Sequence, residues 1–201
     1  MPVAMPIPAE RYTLVAIILH WVMALGIVAL AIIGLVMTHV KLPPQSLFQL
    51  YQLHKSIGIT ILLAAFLRIG WKLRHRPPIL REAMPPWQRA AATWSHRLLY
   101  VALFALPLTG WAAVSASPFD IPTVLYGVIP WPDLPILPTL AHKKQAEAVL
   151  EDIHDYGAFT LIALICAHAG AALHHHFIKR DTVLRRMLPG RRAAQTKDSA
   201  P

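Results

Sequence analysis

The chain has 201 residues, of which 56% are hydrophobic and 14% are charged, against about 25% charged residues in an ordinary soluble domain. Its formal net charge of +9 could suit nucleic acid, but the positive residues are concentrated between apolar runs, as they are in membrane proteins. Composition and charge therefore exclude an ordinary soluble domain, argue against a nucleic-acid partner and indicate contact with membrane lipid.

Four stretches of the chain approach the roughly 20 apolar residues that cross a bilayer as a helix. They run from about Leu14 to Thr38, from Leu47 to Trp71, from Thr93 to Ala116 and from Ala148 to Ile178. The sequence therefore predicts an all-α fold, an integral membrane four-helix bundle. We expect residues 1–189 to form this domain and the basic residues 190–201 to form a disordered cytoplasmic tail.

The connection between the third and fourth stretches, from about Ser117 to Lys143, is rich in proline but also apolar and aromatic. Proline removes a backbone donor and resists regular helix. One interpretation is an irregular cap over the outer end of the bundle. The other is a plain interfacial loop anchored by its aromatic side chains.

The distribution of lysine and arginine predicts the orientation of the helices. Positive residues are frequent between the second and third stretches and again after the fourth, whereas the other two connections hold only Lys41, Lys143 and Lys144, beside several acids. Lysine and arginine favour the cytoplasmic side of a membrane. Both termini are therefore predicted to be cytoplasmic.

Histidines within the predicted helices point to a cofactor, because ionisable groups in a membrane are costly and usually functional. His154 and His168 are fourteen residues apart, which is roughly 21 Å along a helix and within about 40° of a whole number of turns. They therefore share one face at two depths. Matching depths on the other helices predict two pairs, His54 with His154 near the outside and His20 with His168 near the inside.

Neutral imidazole suits haem iron, so two stacked b-type haems are the predicted occupants of these pairs. Covalent c-type haem is excluded because the chain lacks a Cys-x-x-Cys-His motif. Two alternatives remain open. His96 competes with His20 for the inner site, and each helix histidine could instead bind a neighbouring group by a hydrogen bond.

The chain also resembles a known family, the bacterial cytochromes b561, over about Tyr12 to Pro189. The segments that carry the resemblance are His20-Trp21, His54-Lys55-Ser56-Ile57-Gly58, Pro107-Leu108-Thr109-Gly110-Trp111, the run from His168 to Phe177 and the run from Arg180 to Pro189. The resemblance implies a four-helix di-haem quinone oxidoreductase of the bacterial inner membrane, of which the characterised type is a superoxide oxidase. It also implies the same four ligands, His20, His54, His154 and His168.

The function that this resemblance favours is transfer of electrons from superoxide, at the outer face, to ubiquinone, at the cytoplasmic side. His175 lies two helical turns beyond His168 on the same face, so it is the predicted quinone residue and proton donor, although a plain surface histidine is an equal alternative. Lys143 and Lys144 precede His154 and are candidates for a positive funnel that attracts superoxide.

Two other functions remain open from the sequence. A b-type anchor subunit that passes electrons between quinone and a periplasmic redox enzyme shares the same plan of paired histidines. A metal or proton transporter could use the same histidines, but its helices should then carry plentiful acidic residues. The acids of the fourth stretch lie at its start, and Asp and Glu are absent from mid-membrane positions.

The predicted orientation can be tested with topology reporters. A reporter that is active only in the periplasm should stay inactive when it is fused after Pro189, because the positive segments hold that end in the cytoplasm. The same reporter inserted near Pro132 should be active. The reverse pattern would refute the orientation.

Overall fold

The computed structural model describes residues 11–75, 78 and 85–189. Four long helices dominate this part of the chain. They are α1 (Leu14–His39), α2 (Pro44–Arg74), α3 (Pro86–Ser115) and α4 (Lys143–His174), and α4 continues as a π-helical turn over His175–Lys179. Each is long and apolar enough to cross a membrane, so the prediction of an all-α membrane bundle is confirmed. The tail predicted for residues 190–201 lies outside the described residues.

The helices begin where the sequence offers a suitable first turn. The Thr13 side chain accepts a hydrogen bond from the Ala16 N–H and so caps α1. Proline opens α2 at Pro44 and α3 at Pro86, positions where the missing N–H costs nothing. The third helix therefore starts seven residues before the predicted Thr93, because its polar first turns lie ahead of the apolar run on which the prediction rested.

The bundle is built from neighbours in sequence: α1 packs on α2, α2 on α3 and α3 on α4. A small apolar core of Met23, Ile61 and Ala65 joins α1 to α2, and Leu103 and Phe104 of α3 cover it. By contrast, the backbone of α4 hardly approaches α1 or α2. A gap therefore separates the backbone of α4 from that of the first two helices. Many large apolar side chains are exposed on the surface of the bundle, as expected of helices that cross a membrane.

The connection between α3 and α4 contains a short antiparallel hairpin of β1 (Thr123–Leu125) and β2 (Ile129–Trp131), with Thr123 opposite Trp131. Its turn uses positive φ angles at Tyr126 and Gly127, the conformation that tight hairpins favour. The irregular structure predicted for this segment was wrong at the hairpin. Pro130 is tolerated within β2 because the sheet has only two strands and both are edge strands.

Side chains of α2 and α3 hold this segment against the bundle. The Gln52 Nε2 donates to the Pro122 carbonyl at 2.9 Å, and the Ser56 hydroxyl accepts from the Tyr126 N–H at 2.9 Å. On α3, the Trp111 Nε1 donates to the Pro132 carbonyl at 2.9 Å. The segment is therefore a cap on the ends of α2 and α3 rather than a plain loop.

Ser56 makes a specific test of the cap, because its side chain is fully buried and its hydroxyl serves both the Gln52 carbonyl and the Tyr126 N–H. We expect Ser56→Ala to destabilise the protein by about 1–3 kcal/mol, since the Tyr126 N–H loses its partner. Thermal unfolding followed by circular dichroism would measure this. Thr160→Ala is the matched control, because the exposed Thr160 hydroxyl bonds only within its own helix and should matter little.

Candidate haem-binding site

Two pairs of histidine rings face each other across the gap beside α4. The ring centroids of His54 and His154 are 6.2 Å apart, and the planes are inclined by 72°. Those of His20 and His168 are 6.3 Å apart, and their planes are inclined by 67°. The structure thus brings together the same two pairs that the sequence predicts from helix depth, and α4 contributes one ring to each.

These separations suit two imidazoles on opposite sides of one iron atom. A bond of about 2 Å from metal to imidazole nitrogen on each side, together with the two ring radii, spans about 6 Å. Two imidazoles alone leave most positions on a metal open, and the planar macrocycle of a haem fills them. The facing rings of both pairs have the separation that two imidazoles on one iron require, so the residues present fit haem.

His154 is oriented from behind by α3. Its Nδ1 lies 3.0 Å from the Leu106 carbonyl and 3.3 Å from the Thr109 hydroxyl. Since the carbonyl can only accept, Nδ1 carries the proton and Nε2 is left with a free lone pair for a metal.

Gly110 allows the close approach of His154 to α3. A Cβ at this position would lie 2.9 Å from the His154 Cε1 and 3.1 Å from its Nδ1, too close for an unmoved ring. On the other side of the outer pair, a Cβ at Gly34 would lie 3.5 Å from the His54 Cε1. The outer pair is therefore lined by glycine on the two helices that supply no ring.

The inner pair has polar neighbours instead. The Arg68 Nη2 lies 3.0 Å from the His20 Nδ1, and the His96 ring centroid lies 5.3 Å from that of His168. His96 thus lies near His168, as expected of the alternative ligand that the sequence predicts. However, two bonds to one metal and two ring radii require about 6 Å between ring centroids, and the rings of His96 and His168 are closer than that. The separation of His20 from His168 fits better. The contact of Arg68 with His20 was not predicted, although an arginine in a membrane helix is itself a signal of function.

His175 is half-buried rather than a freely exposed histidine. Its Nδ1 pairs with Asp181 Oδ2, and the other oxygen of Asp181 accepts from the Val183 N–H at 3.1 Å. The chain folds back here, because Arg180 takes a left-handed conformation and the Met187 carbonyl then accepts from Trp21 Nε1 at 2.7 Å. Sequence reasoning missed Asp181, whose only signal was its place six residues after His175.

The two lysines proposed for the outer face differ in their surroundings. Lys143, the first residue of α4, forms a 2.6 Å salt bridge with Asp120, so its charge is largely offset. Lys144 is exposed. Of the two, Lys144 is therefore the better placed to attract an anion.

Paired histidines that face each other between membrane helices define the class of membrane b-type cytochromes. The description of the family that matches residues 11–190 is "Prokaryotic cytochrome b561". The chain belongs to this family, whose members bind b-type haem and transfer electrons in the membrane. This confirms the family resemblance found in the sequence.

The chain is similar over most of its length to three bacterial proteins. It is 31% identical to "Cytochrome b561 homolog 2" of Escherichia coli (strain K12) over 179 residues, which cover 89% of the chain and 92% of the relative. It is 34% identical to "Cytochrome b561 homolog 1" of the same organism over 139 residues, 69% and 74% of the two chains. It is 30% identical to "Probable superoxide oxidase CybB" of Yersinia pestis over 190 residues, 91% and 98% of the two chains.

Gly110 provides a test of the outer pair that leaves every histidine in place. Gly110→Ala should displace the His154 ring, because the added Cβ would lie 2.9 Å from it. We expect weaker retention of one haem and an altered low-spin spectrum. Gly70→Ala is the matched control, since a Cβ there meets nothing within 4 Å. Equal haem content and identical spectra in both variants would contradict the placement of His154 beside a haem.

Proposed function

We propose that this chain is a di-haem cytochrome b that oxidises superoxide at its outer face and reduces ubiquinone at its cytoplasmic side. The observation that carries the proposal is the stacking of two facing histidine pairs in one bundle, His54 with His154 and His20 with His168. Bound haems would supply one-electron carriers at these two depths. The pairs are separated by about 21 Å along α4, a large part of the roughly 30 Å hydrocarbon core.

The overall reaction balances with two molecules of superoxide for each quinone. Each superoxide loses one electron and leaves as dioxygen, while ubiquinone takes up the two electrons and two protons and becomes ubiquinol. The name of the Yersinia pestis relative supports superoxide as the donor. The two Escherichia coli relatives are named only as cytochrome b561 homologs and support electron transfer in the membrane.

The protons for ubiquinol would come from the cytoplasmic side, where His175 is held by Asp181. The Nδ1 of His175 is bound to the carboxylate, so Nε2 is the nitrogen left to face a quinone oxygen. It can give a proton to that oxygen only from the doubly protonated ring, and the neutral ring would then take up a proton from the cytoplasm. The position supports this role, because His175 follows the inner ligand His168 by two turns of one helix face. At the outer face, the exposed Lys144 would attract the anionic donor.

The experiment that tests the proposal is superoxide-driven reduction of a water-soluble ubiquinone by the purified protein. We expect wild-type protein to form ubiquinol, and added superoxide dismutase to abolish the reaction. The rate should fall as ionic strength rises, because salt screens the attraction between Lys144 and an anion. His154→Ala should lose one of two b haems in a pyridine haemochrome assay and should fail to transfer electrons from superoxide.

Failure of superoxide to reduce intact di-haem protein would refute the proposed donor. In that case the anchor-subunit alternative becomes the better candidate. One observation favours it: the outer cap carries large apolar side chains that are strongly exposed, among them Val128 at 78% and Ile136 at 74%, and such side chains suit a docked protein. Copurification with a larger periplasmic enzyme would then be expected.

A further inference from the structure

Each of the four helices places one residue beside each histidine pair, and on every helix these two residues are fourteen positions apart. These are His20 and Gly34 on α1, His54 and Arg68 on α2, His96 and Gly110 on α3, and His154 and His168 on α4. Fourteen residues return a side chain to nearly the same helix face about 21 Å further on. Every helix therefore faces both histidine pairs, once at each level.

The two levels differ in what the helices without a proposed ligand supply. Around the outer pair these positions are Gly34 and Gly110, both close to a histidine ring and both uncharged. Around the inner pair they are Arg68 and His96, which contact His20 and His168. The inner site thus has a guanidinium where the outer site has no charged neighbour at the matching positions.

The hydrogen bond between Arg68 and His20 constrains where the guanidinium can bind. A guanidinium only donates, so this contact requires an unprotonated His20 Nδ1. A histidine that binds iron through Nε2 carries its remaining proton on Nδ1, and two donors then face each other. When His20 binds iron, Arg68 must therefore take another acceptor.

No carboxylate of the described residues is available to Arg68. The salt bridges in the described part of the chain are Lys143 with Asp120 and His175 with Asp181, both elsewhere. The surroundings of Arg68 are instead positive or neutral. Its Nε donates to the Tyr100 hydroxyl at 3.3 Å, and the Lys72 Nζ lies 4.4 Å from the centroid of the same Tyr100 ring.

A cavity of about 660 Å³ opens beside these groups between α2 and α3. Its walls include Lys72, His96, Arg97 and Tyr100, so two cations and the neighbour of His168 line one space. An uncompensated arginine within a membrane helix is expensive unless an anion is near. The positive side chains around the cavity therefore suit an anionic group, and His96 in the wall places the inner histidine pair next to that group.

We propose that Arg68, together with Lys72 and Tyr100, binds the carboxylates of the haem held by His20 and His168, and makes that haem the stronger electron acceptor. A fixed positive charge favours the reduced state of a nearby iron, and the outer level has glycine at the corresponding positions. The inference rests on the proposed haem sites and deepens them, because it gives electron flow a direction, from the outer level to the inner one.

Redox titration of purified protein with chemical mediators tests this without superoxide or quinone. Wild-type protein should titrate as two haems, and Arg68→Gln should shift one of them to lower potential while the other stays unchanged. Removal of the outer haem by His154→Ala identifies the shifted haem as the inner one. Arg74→Gln is the matched control, because Arg74 is an exposed arginine at the end of the same helix.

Arg68→Lys separates charge from geometry, since lysine keeps the charge but loses the planar fork. Retention of most of the wild-type potential in this variant supports the electrostatic role, including the case in which Arg68→Gln loses the inner haem altogether. An unchanged potential in Arg68→Gln overturns the proposal. So does loss of the inner haem from both variants, because Arg68 would then support the position of His20 rather than the charge of the site. A failure of superoxide to reduce the protein would leave these titrations unaffected.

Discussion

Fourteen residues of α-helix bring a side chain back to nearly the same face about 21 Å further along the axis, and the bundle depends on this spacing. His154 and His168 use it to place two rings on one face of α4. A facing ring must then come from another helix at each depth, and α2 supplies His54 while α1 supplies His20. Successive helices run in opposite directions. Because each uses the same fourteen-residue spacing, the residues beside the outer pair and those beside the inner pair stay at matching depths on all four helices.

The same constraint explains the packing of the bundle. If α4 packed closely on α1 and α2, the paired rings could not stand about 6 Å apart, and the helix is instead held through α3. Leu106, Thr109 and Gly110 form the contact, because they support and make room for His154. The outer cap adds a second connection, since its backbone is bonded to Gln52 and Ser56 near His54 and to Trp111 near Gly110.

The sequence predicted the four helices and the histidine pairs because both depend on local periodicity. Apolar runs of about 20 residues are visible without any tertiary information, and depth along a helix follows from residue number. The hairpin was missed because prolines that argue against strands are tolerated on edge strands. Two contacts, that of Arg68 with His20 and that of His175 with Asp181, join segments whose approach no periodic pattern encodes. The choice between His20 and His96 needed the distances of their rings from His168, which only the three-dimensional structure gives.

Charge is arranged differently at the two ends of the bundle, and this bears on the direction of electron flow. At the outer end, the Lys143 ammonium is neutralised by Asp120, and glycines flank the histidine pair. At the inner end, Arg68, Lys72 and Arg97 have no carboxylate partner among the described residues. In the proposed direction, an electron that passes from the outer to the inner histidine pair would therefore move toward positive charge and would be stabilised there. The same lysines and arginines from which the cytoplasmic side is predicted would thus also favour the proposed reduction at that side. For electrons to pass from the inner to the outer pair, the stronger electron acceptor would have to lie at the outer pair, between Gly34 and Gly110. No cation of the described helices contacts the paired rings there.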